Sequence, residues 1–153
     1  MMFKTHLAFG FLFALLALKF IEFKPIFFIP LVCFFSVIPD IDLSSSKVGG
    51  RRFVSKAINF FFGHRGIIHS IFPPILLFML FWYLNVKIAS YAALFGYFSH
   101  LLMDGFTIRG INFLNPFLDL RLNGFVETGT LLETVFFVLI LFVDIVYGFI
   151  FFF

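Results

Sequence analysis

The sequence predicts an all-α fold: a polytopic membrane bundle of about five short hydrophobic helices, with a polar metal site gathered at one membrane face. Three observations carry this. Of the 153 residues, 62% are hydrophobic and only 12% charged, with a mean hydropathy of +1.11, more apolar surface than a soluble core of that size can hide. The hydrophobic residues fall into five runs separated by polar breaks. All four histidines, together with Asp40, Asp42, Asp104, Glu127 and Glu133, stand at the run ends that threading through a bilayer brings to one side. The 30 phenylalanines suit a lipid-facing surface. The length predicts one domain over residues 1–153.

The first run, Leu7 to Leu18, follows Met1-Met2-Phe3-Lys4 and imitates a signal peptide. No small-x-small cleavage site precedes Lys19, so a retained first helix is expected. The second run, Pro25 to Ile38, opens on a proline suited to a helix start and is expected to end at Pro39. Both are shorter than the roughly 20 residues a span requires, and Lys4, Lys19 and Lys24 are placed to snorkel. The single cysteine, Cys33, lies in the second run; it excludes an intrachain disulfide and reads as a small buried hydrophobe.

From Asp40 to Lys56 the chain turns polar and reads as a surface loop, followed by a short interfacial helix over Ala57 to Phe62. Next comes Gly63-His64-Arg65-Gly66-Ile67-Ile68-His69-Ser70. Two histidines five apart differ by roughly 140° on a continuous helix and cannot share a face. A helix beginning just after Gly66 carries His69 in its first turn and leaves His64 on the loop to fold back. Run three, Ile71 to Val86, has Pro73-Pro74 in its first turn. Run four, Ile88 to Met103, follows a turn at Asn85-Val86-Lys87. A second polar region, Asp104 to Gly129, is glycine-rich and irregular or hairpin-like, and run five extends from about Leu131 to the end, crossing the membrane or lying against it.

With five passes, the starts of runs one, three and five and the ends of two and four share a face, which also carries Lys4, Lys47, Arg51, Arg52, Lys56, Arg65, Arg109 and Arg121. The opposite face has Lys19, Lys24 and Lys87. The excess places the polar face in the cytoplasm. Topology accounts for these charges, and no aromatic stacking pattern accompanies them, so no nucleic-acid partner is expected.

His100 and Asp104, four apart, differ by about 40° on a helix and can ligate one ion; a helix-end hydrogen bond is the plainer reading of the pair alone. Asp40 and Asp42 read either as ligands or as helix-end solvation. Imidazole with carboxylate and no thiolate favours zinc, manganese or iron. Two or three clustered ions would suit hydrolysis of a phosphoester.

The chain resembles the YdjM-like family of membrane-bound metal-dependent hydrolases. The matching elements are Thr5-His6-Leu7, Ile38-Pro39-Asp40-Ile41-Asp42, Gly63-His64-Arg65-Gly66 with His69-Ser70, Gly96-Tyr97-Phe98-Ser99-His100 with Asp104, Thr107 with Gly110, and Gly129 with Glu133. They cover nearly the whole chain, and the His-Arg-Gly-x-x-His-Ser element is specific. The family looks like a membrane-embedded relative of the helical zinc-dependent phospholipase C proteins. The resemblance implies a divalent-metal site, zinc first, with His6, Asp40, His64, His69, His100, Asp104 and Glu133 as ligand candidates.

The expected function is a metal-dependent hydrolase of the inner membrane, acting on a phospholipid or other amphiphilic phosphoester. Asp40 or Asp42 is the candidate base. Arg65 is the first candidate for an anionic substrate group, with Arg109 and Arg121 behind it; a salt bridge from Arg65 to Asp40 or Asp104 is its structural reading. The alternative is a non-enzymatic scaffold whose metal staples short helices. Asp144, alone in run five, is expected to be protonated, to pair across helices with Lys19, Lys24 or Lys87 of the opposite face, or to sit near an interface, rather than to act in the site.

Overall fold

A computed structural model describes residues 1–41 and 67–153. Its helices are α1 (Phe3–Ala17), α2 (Pro25–Ile41), α3 (Phe72–Tyr83), α4 (Lys87–Gly105) and α5 (Leu131–Phe152). A 3-10 turn covers Ile67–His69, and strands β1 (Ile111–Asn112) and β2 (Arg121–Leu122) form an antiparallel hairpin between α4 and α5. The all-α prediction and its five hydrophobic helices hold. The expected helix over Ala57 to Phe62, and with it Asp42, His64 and Arg65, lies outside the described residues.

Local chemistry sets the boundaries. Pro25 opens α2, and Pro73 and Pro74 fill the first turn of α3, where the absent N–H costs no helical bond. Asn85 adopts φ 59°, a left-handed geometry that asparagine tolerates, and lets the chain reverse from α3 into α4. Gly129 at φ 87° does the same ahead of α5.

Three expectations are corrected. Helix α2 does not stop at Pro39 but continues to Ile41, so Asp40 belongs to its last turn. A proline there forfeits only its own bond to the Phe35 carbonyl, and a helix about to end tolerates that loss. The turn after Gly66 is an isolated 3-10 turn, with α3 starting separately at Phe72. Cys33 is half-buried rather than core; it lines an apolar groove of 770 Å³ bounded by α1, α2 and α5.

Helix α4 lies at the centre of the bundle, packed against α1, α2 and α3, while α2 also packs on α1 and α5 packs on α1. Small residues permit this. Ala14 and Ala17 from α1 and Ala92 and Ala93 from α4 surround Phe28, Val32 and Phe35 of α2. A Cβ at Gly96 would lie 2.4 Å from the Val32 carbonyl oxygen, and one at Gly10 would lie 2.5 Å from Ser36 Oγ. Both neighbours press on α2 to near backbone contact, as small residues allow in membrane helices.

The starts of α1, α3 and α5 and the ends of α2 and α4 meet at one end of the bundle. Thr5 donates to Glu133, His6 lies beside Asp40, and Phe72 packs on Phe117 of the hairpin. Among the described residues α5 is the one helix long and apolar enough to cross a membrane; α1, α2 and α3 are shorter apolar helices.

Candidate metal centre

Four side chains converge at that end. Asp40 comes from the last turn of α2, His69 from the 3-10 turn, and His100 and Asp104 from the last turns of α4; their ligand atoms all lie within 4.8 Å of one another. His69, His100 and Asp104 are buried, while the Asp40 side chain keeps 26% exposure. The i, i+4 spacing on α4 brings His100 Nε2 to 3.6 Å from Asp104 Oδ2.

Each residue is held by neighbours that chain order explains. Gly96 lets α4 close on α2 one turn before His100, and there the His100 Nδ1–H donates to the Ser36 carbonyl at 2.9 Å. That bond fixes the tautomer and turns the Nε2 lone pair toward the carboxylates. The Tyr97 hydroxyl donates to the Ile68 carbonyl at 2.6 Å and pins the turn bearing His69 to α4. Ser70 closes the same turn through its hydroxyl on the Ile67 carbonyl, and the Ile71 N–H donates to Phe113 of the hairpin. Ser36 was not singled out from sequence, and Tyr97 stood in the matched Gly96-Tyr97-Phe98-Ser99-His100 element without a role of its own. The signal available for Tyr97 was its place three residues before His100, on nearly the same helix face.

The spacing among the four suits a shared ion better than direct hydrogen bonds. The imidazole Nε2 atoms of His69 and His100 stand 4.0 and 3.9 Å from Asp40 Oδ1, and 3.7 and 3.6 Å from Asp104 Oδ2. These exceed the usual N–H···O range of about 2.7–3.2 Å. Four ligands at about 2.0–2.1 Å from one tetrahedral ion are about 3.4 Å apart, close to these edges. Among the described residues the His100 Nε2 is buried without a hydrogen-bond partner, a cost of about 1–3 kcal/mol that a cation would relieve. The donor set fits zinc, manganese or iron.

His6 adjoins the four. Its ring stacks on His100 at 3.9 Å between centroids, and its Nε2 lies 3.5 Å from Asp40 Oδ2 and 3.4 Å from Asp104 Oδ1. Each aspartate therefore turns one oxygen to His69 and His100 and the other to His6. The Met1 amino group also lies 2.6 Å from Asp104 Oδ1. Among the described residues neither buried ring nitrogen of His6 has a hydrogen-bond partner.

Glu133 is buried but stands outside this group. Its carboxylate accepts hydrogen bonds from the Met2 N–H, the Thr5 hydroxyl at 3.2 Å and the Gly129 N–H at 2.7 Å. It ties the start of α1 to the start of α5, one residue from His6, and so positions rather than joins the cluster. Arg109 and Arg121 are exposed on the hairpin, where Arg121 donates to the Arg109 carbonyl at 3.1 Å. The remaining expected residues, Asp42, His64 and Arg65, lie outside the described region.

Comparison with known proteins gives the family. Over 134 residues the chain is 34% identical to YvsG of Bacillus subtilis (strain 168), an uncharacterized protein, covering 85% of this chain and 83% of that one. It is 35% identical over 88 residues to the inner membrane protein YdjM of Escherichia coli (strain K12), which spans 52% of this chain and 44% of the relative. No solved structure matches. The model of the family described as YdjM inner membrane protein matches residues 1–151, and the chain belongs to that family.

Proposed function

We propose that the protein is a membrane-bound metal-dependent hydrolase acting on a phosphoester of a lipid or other amphiphile. The supporting observation is the convergence of Asp40, His69, His100 and Asp104, three of them buried and one, Asp40, open at the edge. A structural ion is normally enclosed by its ligands, whereas a catalytic one keeps a position open. A divalent ion at this centre supplies a Lewis acid that turns water into a nucleophile near neutral pH.

The chain's own residues would do the rest. His69, His100 and Asp104 form the rigid part of the ligand set, oriented by Tyr97 and Ser36. His6, with the second oxygens of Asp40 and Asp104, would hold a second ion. Asp42, or Asp40 if it is not consumed as a ligand, would take the proton released by the attacking water. Arg65 holds the anionic group of the substrate in a bidentate fork. The bundle crosses the membrane in five passes with this end cytoplasmic, as the excess of Lys and Arg near it favours. The remote likeness to zinc-dependent phospholipase C belongs to the same reading.

Elemental analysis of the purified protein in detergent, with turnover of a phospholipid and a water-soluble phosphodiester, tests this. At least one zinc, manganese or iron per chain is expected, with turnover lost on chelation and restored by the ion. His6→Ala should remove the second equivalent where two are found. Protein loaded with metal but inert on every phosphoester would favour a stapling ion instead.

A further inference from the structure

The 106–126 connection between α4 and α5 holds a second site that the metal chemistry does not use. Its hairpin is well tied. Ile111 pairs with Leu122 and Asn112 with Arg121, the Phe113 N–H donates to Leu120, and the Gly124 N–H donates to the Thr107 carbonyl beside the end of α4. A segment tied this firmly would be expected to bury its apolar side chains; Ile111 and Val126 are buried, but most of the others are not. Phe117 is 76%, Leu118 63% and Phe125 64% exposed, and Leu120 and Leu122 are exposed beside them. A patch of this kind marks an interaction surface.

Beneath the hairpin lies a cavity of 470 Å³, walled by Leu101, Leu102 and Gly105 of α4 and by Ile111, Phe113 and Arg121. Leu101, Leu102 and Gly105 leave α4 roughly 130° around its axis from His100 and Asp104, so this cavity and the metal centre occupy different sides of the helix. One wall is cationic. Arg121 spends one N–H on the Arg109 carbonyl, leaving most of its five donors for another acceptor. Asp119, the hairpin's acidic side chain, is engaged by Asn112 at 2.6 Å instead of by either arginine.

What covers this surface follows from its neighbour. The membrane-length helix α5 begins at Leu131, 80% exposed and five residues past Val126, so the hairpin's exposed apolar side chains adjoin the exposed start of α5, and a bilayer crossed by α5 would meet the hairpin at its headgroups. We infer that the hairpin and the end of α4 bind an anionic phospholipid of the bilayer, its phosphate on Arg109 and Arg121 and one acyl chain in the 470 Å³ cavity. Arg109 and Arg121 then serve lipid anchoring rather than the substrate position that their sequence suggested. This inference is independent of the hydrolytic reading.

The test places a tryptophan at the patch. The full chain carries Trp82→Phe with Phe125→Trp or Phe117→Trp and is reconstituted in nanodiscs of acyl-brominated phosphatidylglycerol or phosphatidylcholine. Quenching of either tryptophan is expected, with a clear preference for phosphatidylglycerol. The preference should fall about 5-fold for each arginine replaced in Arg109→Gln and Arg121→Gln, the factor matching roughly 1 kcal/mol per basic residue at an anionic surface. Circular dichroism of the same samples verifies the helices. Tryptophan unquenched by both lipids would overturn the inference, as would a preference untouched by the double variant or abolished by added inorganic phosphate.

Discussion

Helix α4 buries eleven of its 19 residues, among them Ser90, Gly96, Tyr97, Ser99, His100 and Asp104, and touches α1, α2 and α3. Helix α5 is longer, at 22 residues, and buries only Glu133, Ile140 and Asp144. By composition α5 is the membrane helix and α4 the doubtful one, since α5 alone among the described residues meets the length and hydropathy of a span. By position the order reverses. Lipid solvates leucine and phenylalanine as well as a protein core does, so an apolar helix gains little by moving inward, whereas buried polar groups need partners and small residues gain close packing. Hydropathy in this chain therefore reports exposure to lipid, and small and polar residues report the centre.

The strongest way to break that contrast is a glycine in each helix. Gly96→Ala on α4 drives a Cβ to 2.4 Å from the Val32 carbonyl oxygen, whereas one at Gly148 on α5 meets Leu15 at an ordinary 3.9 Å. The first should destabilise by about 1–3 kcal/mol or prevent folding, and the second should be neutral or stabilising by up to about 1 kcal/mol through helix propensity. Thermal unfolding in detergent reads both. Equal tolerance would mean that α2 and α4 do not meet at Gly96.

The next contrast is between the buried acids. Asp104→Ala and His100→Ala on α4 should each strip bound metal while helicity survives. Glu133→Gln on α5 should keep the metal but loosen the join between the starts of α1 and α5, at a cost of about 1.5–3 kcal/mol for lost charge-assisted bonds. Metal stoichiometry beside melting temperature separates the two. Loss of metal in Glu133→Gln would make Glu133 a ligand, and retention in both α4 variants would remove the centre.

The smallest effect is expected at Asp144. The sequence suggested pairing with a lysine of the opposite face, yet Lys19 Nζ lies 4.7 Å from the centre of the Tyr147 ring, and no ion pair to Asp144 is present among the described residues. Asp144 instead lines the groove bounded by α1, α2 and α5 beside Cys33. Asp144→Asn should leave metal content and turnover unchanged and shift stability by less than about 1 kcal/mol, because no partner is lost and a costly charge is removed. A stable, metal-loaded but inactive variant would tie this groove to the reaction.

The sequence alone determined that there are five apolar helices and roughly where each lies, because apolar runs bounded by proline, glycine and lysine leave few alternatives, but not the end of α2 past Pro39 or the 3-10 turn that carries His69. It also paired His100 with Asp104, since that contact is local and set by helix geometry. Alternation of passes further predicted that His6, Asp40, His69, His100 and Asp104 would share one end of the bundle, and they do. Only the tertiary structure decided which of them face each other and which do not. Glu133 has the right residue type at the right end, yet two backbone N–H groups and the Thr5 hydroxyl claim its oxygens. Ser36, Tyr97 and Gly96 look like ordinary helix residues until α2 and α4 pack, for their roles consist of a carbonyl accepting, a hydroxyl reaching across and a missing Cβ. Such contacts join residues far apart in the chain, and no pattern within a single helix encodes them.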